Sequence, residues 1–148
     1  MAGWLYEGKE LTDIAGYYGF VYLITHLSTQ KKYVGMKLLT KAKTLPRTKT
    51  RRKKKIRVAS DWETYYGSNA ELLEDVERYG KDQFTREIIR LCKTRGETRY
   101  YEAYEILTRD ALLRPDYYNR WVSLKLHRST LEHLQSQSSD SLAGIPTS

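Results

Sequence analysis

Ten of the chain's 26 basic residues fall within residues 41–57: Lys41, Lys43, Arg47, Lys49, Arg51, Arg52, Lys53, Lys54, Lys55 and Arg57, with no acid among them. Such a run suits phosphate. Each cation that meets a backbone phosphate releases counterions, so several contacts give an affinity that falls steeply with salt. Aromatic residues follow directly, in Asp61-Trp62-Glu63-Thr64-Tyr65-Tyr66. Cations followed by Trp62, Tyr65 and Tyr66 fit a groove that tracks a nucleic-acid backbone and stacks its bases. A solvated, unstructured block or a nuclear-localisation signal has the same composition. A second candidate is the pair Tyr22 and Tyr33, which share parity on two adjacent predicted strands, so both phenols can point to one sheet face. There one hydroxyl can orient or deprotonate a water and the other can hydrogen-bond a phosphate oxygen. Two plain packing tyrosines fit the same pattern. A phenol, with a pKa of about 10, acts as a base only where positive charge lowers that value.

The rest of the composition narrows the class. The chain has 148 residues, and removing the ten cations takes its net charge from +8 to −2. It is a near-neutral globule carrying one cationic segment, of a length that fits one domain. With 40% hydrophobic residues a core can form, and an ordered domain rather than wholesale disorder is the expectation. No apolar run approaches the roughly 18–20 residues that span a bilayer. The stretch Met1–Glu10 carries Glu7, Lys9 and Glu10 and lacks the pattern of a secretory signal. Cys92 is the only cysteine, which excludes an internal disulfide and a cysteine zinc cage. A reducing, intracellular setting away from membranes is the expectation. Cys92 is expected to be a small buried hydrophobe at a strand end. His26, His127 and His133 have no ligand spacing and are expected on the surface.

Several elements must position these groups. Residues 19–27 are β-branched and aromatic and predict a buried strand, with residues 32–37 as its antiparallel partner across a polar turn. Pro46 interrupts any helix early in the basic segment. Ser68 with Glu71 forms a capping-box signature for a helix over 68–80. Leu72, Leu73, Val76 and Tyr79 would lie on its apolar face, and Gly80 at its end. Residues 83–92 predict a third strand. Thr94 with Glu97 opens a second helix running to about Arg109. Asp116–Asn119 ends a turn after Pro115, and Trp121–Leu126 predicts a short strand or helix. The predicted fold is α+β: a small, largely antiparallel three-stranded β-sheet flanked by helices, with a basic insertion over 38–66 after the first hairpin. The domain is expected over 19–128, between a lead-in at 1–18 and a polar, flexible tail at 129–148.

Within this outline, Phe20-Val21-Tyr22, followed eleven residues after its Tyr by Tyr33-Val34-Gly35, resembles the paired motif of GIY-YIG endonucleases. Further resemblances follow in order: Tyr79-Gly80-Lys81-Asp82-Gln83-Phe84 running into a strand, Glu102 on the next helix, and Tyr118-Asn119. They span residues 19–121. Gly-Phe-Val-Tyr-Leu-Ile-Thr, Lys-Tyr-Val-Gly-Met-Lys and Ser-Asp-Trp-x-x-Tyr-Tyr-Gly-Ser are together most similar to small phage-encoded members. Two positions depart from the family. Phe20 stands where the first triplet has Gly, and Lys43 stands where a helical Arg is usual.

The resemblance implies a metal-dependent endonuclease hydrolysing DNA phosphodiesters, of phage homing type and acting in a host cytoplasm. It implies catalytic roles for Tyr22, Tyr33, Glu102 and Asn119, and leaves the electrophilic cation open among Lys37, Lys43 and the arginines of 47–57. Glu102 would be the protein ligand of a single Mg²⁺ or Mn²⁺, with waters and phosphate oxygens completing the shell. Glu97 and Glu105 compete for that role, and Ile106 at i+4 favours Glu102. Asn119 could hold phosphate, fix a sheet edge, or serve as a turn residue. Gly35 would permit a close approach to its strand. DNA is the implied partner. No obligate protein partner is evident, and a dimer on DNA stays open. The 29 residues after Asn119 are expected to be too few for an appended recognition module, so specificity would come from 38–66 or from dimerisation. A repair or junction nuclease, a nuclease acting on RNA, and a non-catalytic nucleic-acid-binding protein on the same scaffold remain as alternatives.

Overall fold

The computed structural model describes residues 3–134. In chain order the elements are β1 (Leu5–Tyr6), β2 (Lys9–Glu10), β3 (Gly19–His26), β4 (Lys32–Leu38), β5 (Thr40–Leu45), β6 (Lys54–Ala59), α1 (Ala70–Tyr79), β7 (Phe84–Cys92) and α2 (Arg95–Thr108). The main sheet has five strands in the order β2-β1-β7-β3-β4. Its centre, β7-β3-β4, is antiparallel as expected. The three-stranded count is corrected, however, because β1 adds parallel to β7 and β2 adds antiparallel to β1. The β1–β2 turn uses Glu7 (φ 53°) and Gly8 (φ 81°), a pair of left-handed residues suited to a two-residue hairpin. The lead-in thus belongs to the sheet. Trp4 is buried, and its Nε1 donates to the Trp62 carbonyl at 2.7 Å.

Strand β3 is buried along its whole length because both of its faces are covered. Phe20, Tyr22 and Ile24 pack with Trp4, Trp62 and Leu72 on one face, under α1 and the 62–66 segment. Val21 and Leu23 pack with Cys92, Ile106 and Tyr117 on the other, under α2. Cys92 is buried at the end of β7, as expected, and burial pushes its thiol up to about 12. Strand β4 is a sheet edge, and a strap over 116–119 covers it. Lys32 N–H donates to the Asp116 carbonyl at 2.9 Å, and Tyr118 N–H donates to the Lys32 carbonyl at 2.7 Å. Pairing hides an edge that would otherwise template other strands.

The basic insertion forms a separate antiparallel hairpin, β5–β6. Its register explains how so cationic a stretch pairs at all. Lys41 faces Val58, Lys43 faces Ile56, Arg57 faces Ala42, Lys55 faces Thr44, and Lys54 faces Leu45, so no cation opposes another across the ladder. All ten cations are exposed. Three local expectations are corrected. The cap of α1 is Asn69, whose Oδ1 accepts from Leu72 N–H at 2.9 Å, while Ser68 and Glu71 are used elsewhere. Residues 121–126 form neither strand nor helix. His26 is buried rather than on the surface, stacked on Phe84 with its ring nitrogens against the Ser28 and Thr29 hydroxyls. The second capping box holds in half: Thr94 caps α2 by accepting from Glu97 N–H at 3.0 Å. Of the tail expected over 129–148, residues 135–148 lie outside the described residues. Among the described residues, no helix is long and apolar enough to cross a membrane.

Candidate active site

At the β4 edge, residues from both faces of the sheet converge on an open cavity of about 360 Å³, lined in part by Tyr33, Arg99, Glu102, Asn119, Arg120 and Trp121. Tyr33 comes from β4, Arg99 and Glu102 from α2, and the last three from the strap and its continuation. Arg99 and Glu102 are three apart on one helix and so share a face. Of the competing glutamates, Glu105 is taken up by Arg90 at 2.9 Å and Arg109 at 3.0 Å. Glu97 accepts from Lys93 N–H and pairs with His133. Among the described residues Glu102 has no ion pair, and it is the one of the three that lines the cavity. Burial pushes its carboxyl above the usual range, against the opposing pull of a Met36 backbone hydrogen bond and the Arg99 charge.

The two tyrosines are neighbours as expected, with ring centroids 6.1 Å apart. Their surroundings differ. Tyr22 is 1% exposed, and its phenol is pushed well up by burial, then by the adjoining Tyr65 and Tyr33. Gly35 makes room for it: a Cβ there would lie 2.5 Å from the Tyr22 Cζ. Gly67, at φ 94°, closes over both rings, since a Cβ there would be 3.4 Å from the Tyr22 hydroxyl and from Tyr33 Cε2. Tyr33 is half-buried, faces the cavity, and shares a hydrogen bond with Ser68. Burial is the main cause of its raised pKa. Ser68 pulls that value down, and Glu102 pushes it up. Both phenols are therefore protonated at neutral pH.

Asn119 ties down the sheet edge and also lines the cavity. Its Oδ1 accepts from Val34 N–H at 3.0 Å and its Nδ2 donates to the Val34 carbonyl at 2.8 Å, which extends the strap's pairing with β4. Lys37 is not among the residues that line the cavity. Its Nζ meets the Asp61 carboxylate at 2.7 Å and sits 4.0 Å above the Tyr65 ring. Lys43 is on the exposed hairpin, opposite Ile56. Arg57 holds the hairpin's root through Thr40, with Nη2 2.7 Å from its carbonyl. Trp62 and Tyr66 are core residues, which corrects the expectation that they stack bases. Buried Arg86 fixes their segment, donating from Nη1 to the Glu63 and Tyr65 carbonyls at 3.1 and 2.8 Å and lying over the Trp4 and Tyr66 rings. Sequence reasoning missed Arg99, Arg120 and Trp121. The first was findable from its spacing to Glu102, the others from their place directly after Tyr118-Asn119.

One open cavity thus brings together a half-buried carboxylate, a phenol and a guanidinium. A family model described as "Putative endonuclease segE, GIY-YIG domain" matches residues 4–122, and the chain belongs to the GIY-YIG endonuclease family. It is an endonuclease, a phosphodiester hydrolase. The match begins at Trp4, in agreement with the lead-in's place in the sheet. No curated protein and no solved structure matches the chain significantly. Nucleases of this family generally use a divalent metal ion. Among the described residues no cluster of three or more His, Cys, Asp or Glu offers an all-protein cage. A lone carboxylate whose charged form burial disfavours, in a cavity open to water, fits a dication that keeps most of its ligands as water and phosphate oxygen.

Proposed function

We propose that the β4-edge cavity hydrolyses DNA phosphodiesters with a single Mg²⁺ or Mn²⁺ held by Glu102. The observation that carries this is the convergence of Glu102, Tyr33 and Arg99 on one cavity. A bound dication supplies Lewis-acid stabilisation of the phosphorane charge and a more acidic water. The Tyr33 hydroxyl orients the attacking water. It gains the capacity to take its proton only when positive charge gathers in the cavity, because its own pKa is raised. Arg99 takes the cation role, donating to the non-bridging oxygens as charge develops. The family pattern puts that cation at Lys43, but Lys43 lies on the hairpin. Tyr22, Asn119 and Lys37 are positioning residues: they set the Tyr33 ring, the β4 edge and the Tyr65 ring. The exposed cations of β5–β6 hold flanking phosphates. A phage homing role in a host cytoplasm, with the hairpin supplying target preference, completes this proposal; the family model's segE description is consistent with its phage part.

The test is plasmid cleavage by the purified protein. Nicking or cutting that requires Mg²⁺ or Mn²⁺, stops with EDTA and disappears in Glu102→Gln is expected. Cleavage that survives in Glu102→Gln sinks the assignment. In a random-site library, one strongly preferred sequence supports the homing setting, and indifferent cutting removes it.

A further inference from the structure

The chain has three tryptophans, and they fall into two classes: Trp4 is 2% and Trp62 7% exposed, while Trp121 is 74% exposed. Trp121 also lines the cavity with Tyr33, Arg99 and Glu102. Leaving an indole in water forgoes one of the largest apolar burials a side chain offers. The backbone leading to it is tied down. Asn119 is clamped to Val34, and Arg120 Nη2 lies 2.8 Å from the Glu71 carboxylate, which is itself held by Lys31. The indole is thus presented at the mouth of the site by an anchored segment.

The occupant must suit both the ring and its neighbours. A protein partner covering Trp121 would also have to cover Arg99, Arg120 and Glu102, leaving charges without water. A nucleobase offers a π-face to the indole and carries its phosphate one sugar away, where Arg99 and the metal ligand need it. In a paired duplex both faces of every base are already stacked, so the base that meets Trp121 is an unpaired or extruded one. We infer that Trp121 is a base-stacking platform, and that the enzyme acts where the nucleobase next to the cut phosphate is unpaired or extruded, in a single strand, a flap, a junction or a locally opened duplex. This rests on the reading of the cavity as the hydrolytic site.

The experiment is metal-free binding by the full chain, so that it does not depend on cleavage. Because Trp4 and Trp62 are buried, emission at the red edge reports Trp121. A short oligodeoxythymidylate is expected to quench that emission, while an abasic strand of equal length binds through the cations without quenching. Trp121→Ala should weaken binding of the base-bearing strand by roughly ten- to a hundredfold and leave the abasic strand unaffected. Trp121→Phe should restore most of the loss. Equal quenching by both strands, equal losses for both in Trp121→Ala, or emission untouched by either would each overturn the proposal. The last result would leave the indole for a protein partner. Glu102→Gln should still show the quench, which separates failure of the stacking platform from failure of the hydrolytic reading.

Discussion

Tyr22 and Tyr33 come from the same paired motif, yet their burial differs, and with it the task proposed for each. Tyr22 is sealed beneath Gly35 and Gly67, and its hydroxyl has Tyr65 for company. Tyr33 has the cavity. Tyr33→Phe is therefore expected to lower the cleavage rate by about 10²- to 10⁴-fold. Tyr22→Phe keeps the ring, loses one buried hydrogen bond worth about 1 kcal/mol, and should reduce the rate by less than about tenfold. Single-turnover rates beside denaturant curves separate the two. Glu102 carries a second prediction. Its carboxyl titrates above the ordinary value, so the folded state binds the proton more tightly than the unfolded one, and stability falls as pH rises through the window between the two values. In metal-free protein at neutral pH, Glu102→Gln should then raise Tm by about one to a few degrees while abolishing cleavage. The wild-type rate should fall on acidification through that raised value, above the usual carboxylate range, as the proposed metal ligand becomes protonated. A Tm that drops in Glu102→Gln would mean that the buried charge is already compensated.

At the level of elements, the strap over 116–119 decides whether β4 holds the tyrosine and α2 the glutamate across one cavity. Asn119→Ala strips both bonds from the buried Val34 backbone, leaving an N–H and a carbonyl unsatisfied, and should cost about 2–4 kcal/mol. The loss should appear as lower denaturant resistance and faster hydrogen exchange at the Val34 amide; an unchanged Val34 protection factor would refute the clamp. The central strands and both helices were legible in the sequence because each has a full period of burial behind it: β3 is β-branched and aromatic over most of its length, and Thr94 announces α2. What escaped has no such period. Strands β1 and β2 are two residues each; β1 is held by backbone pairing to β7, a partner more than eighty residues away, and β2 only by its pairing to β1. The strap pairs through main chain and one amide side chain. Asn69 outcompeted Ser68 as the cap because its amide also reaches the Tyr118 carbonyl, at 3.1 Å, a tertiary contact that no local pattern contains. In the candidate site, the placing of Tyr33 and Glu102 at one cavity follows the motif order. Burial alone separated Tyr22 from Tyr33 and exposed Trp121 while hiding Trp62.

For the whole molecule, the proposed roles separate in space, recognition on the basic hairpin and chemistry in the cavity. The cations of β5–β6 are exposed on a hairpin of their own, and the groups of the cavity belong to β4, α2 and the strap. Changing Arg47, Lys49, Arg51, Arg52 and Lys53 at the hairpin tip to Gln would take the net charge from +8 to +3 without touching either pairing register or the core. Each lost phosphate contact should reduce the slope of log affinity against log salt by about 0.7 on single strands and about 0.9 on duplex. The variant should therefore bind DNA weakly at low salt and differ less from the wild type as salt rises. Its rate at saturating DNA should stay within about twofold, because none of the five lines the cavity and salt screens charge over a Debye length of roughly 10 Å at 0.1 M. Trp121→Ala should do the reverse, losing an affinity that salt does not modulate. Measured together across a salt series, the two variants should show effects that add in free energy, as separate sites do. A large drop in the saturating rate of the tip variant would place one of those five cations at the scissile phosphate and displace Arg99 from that role.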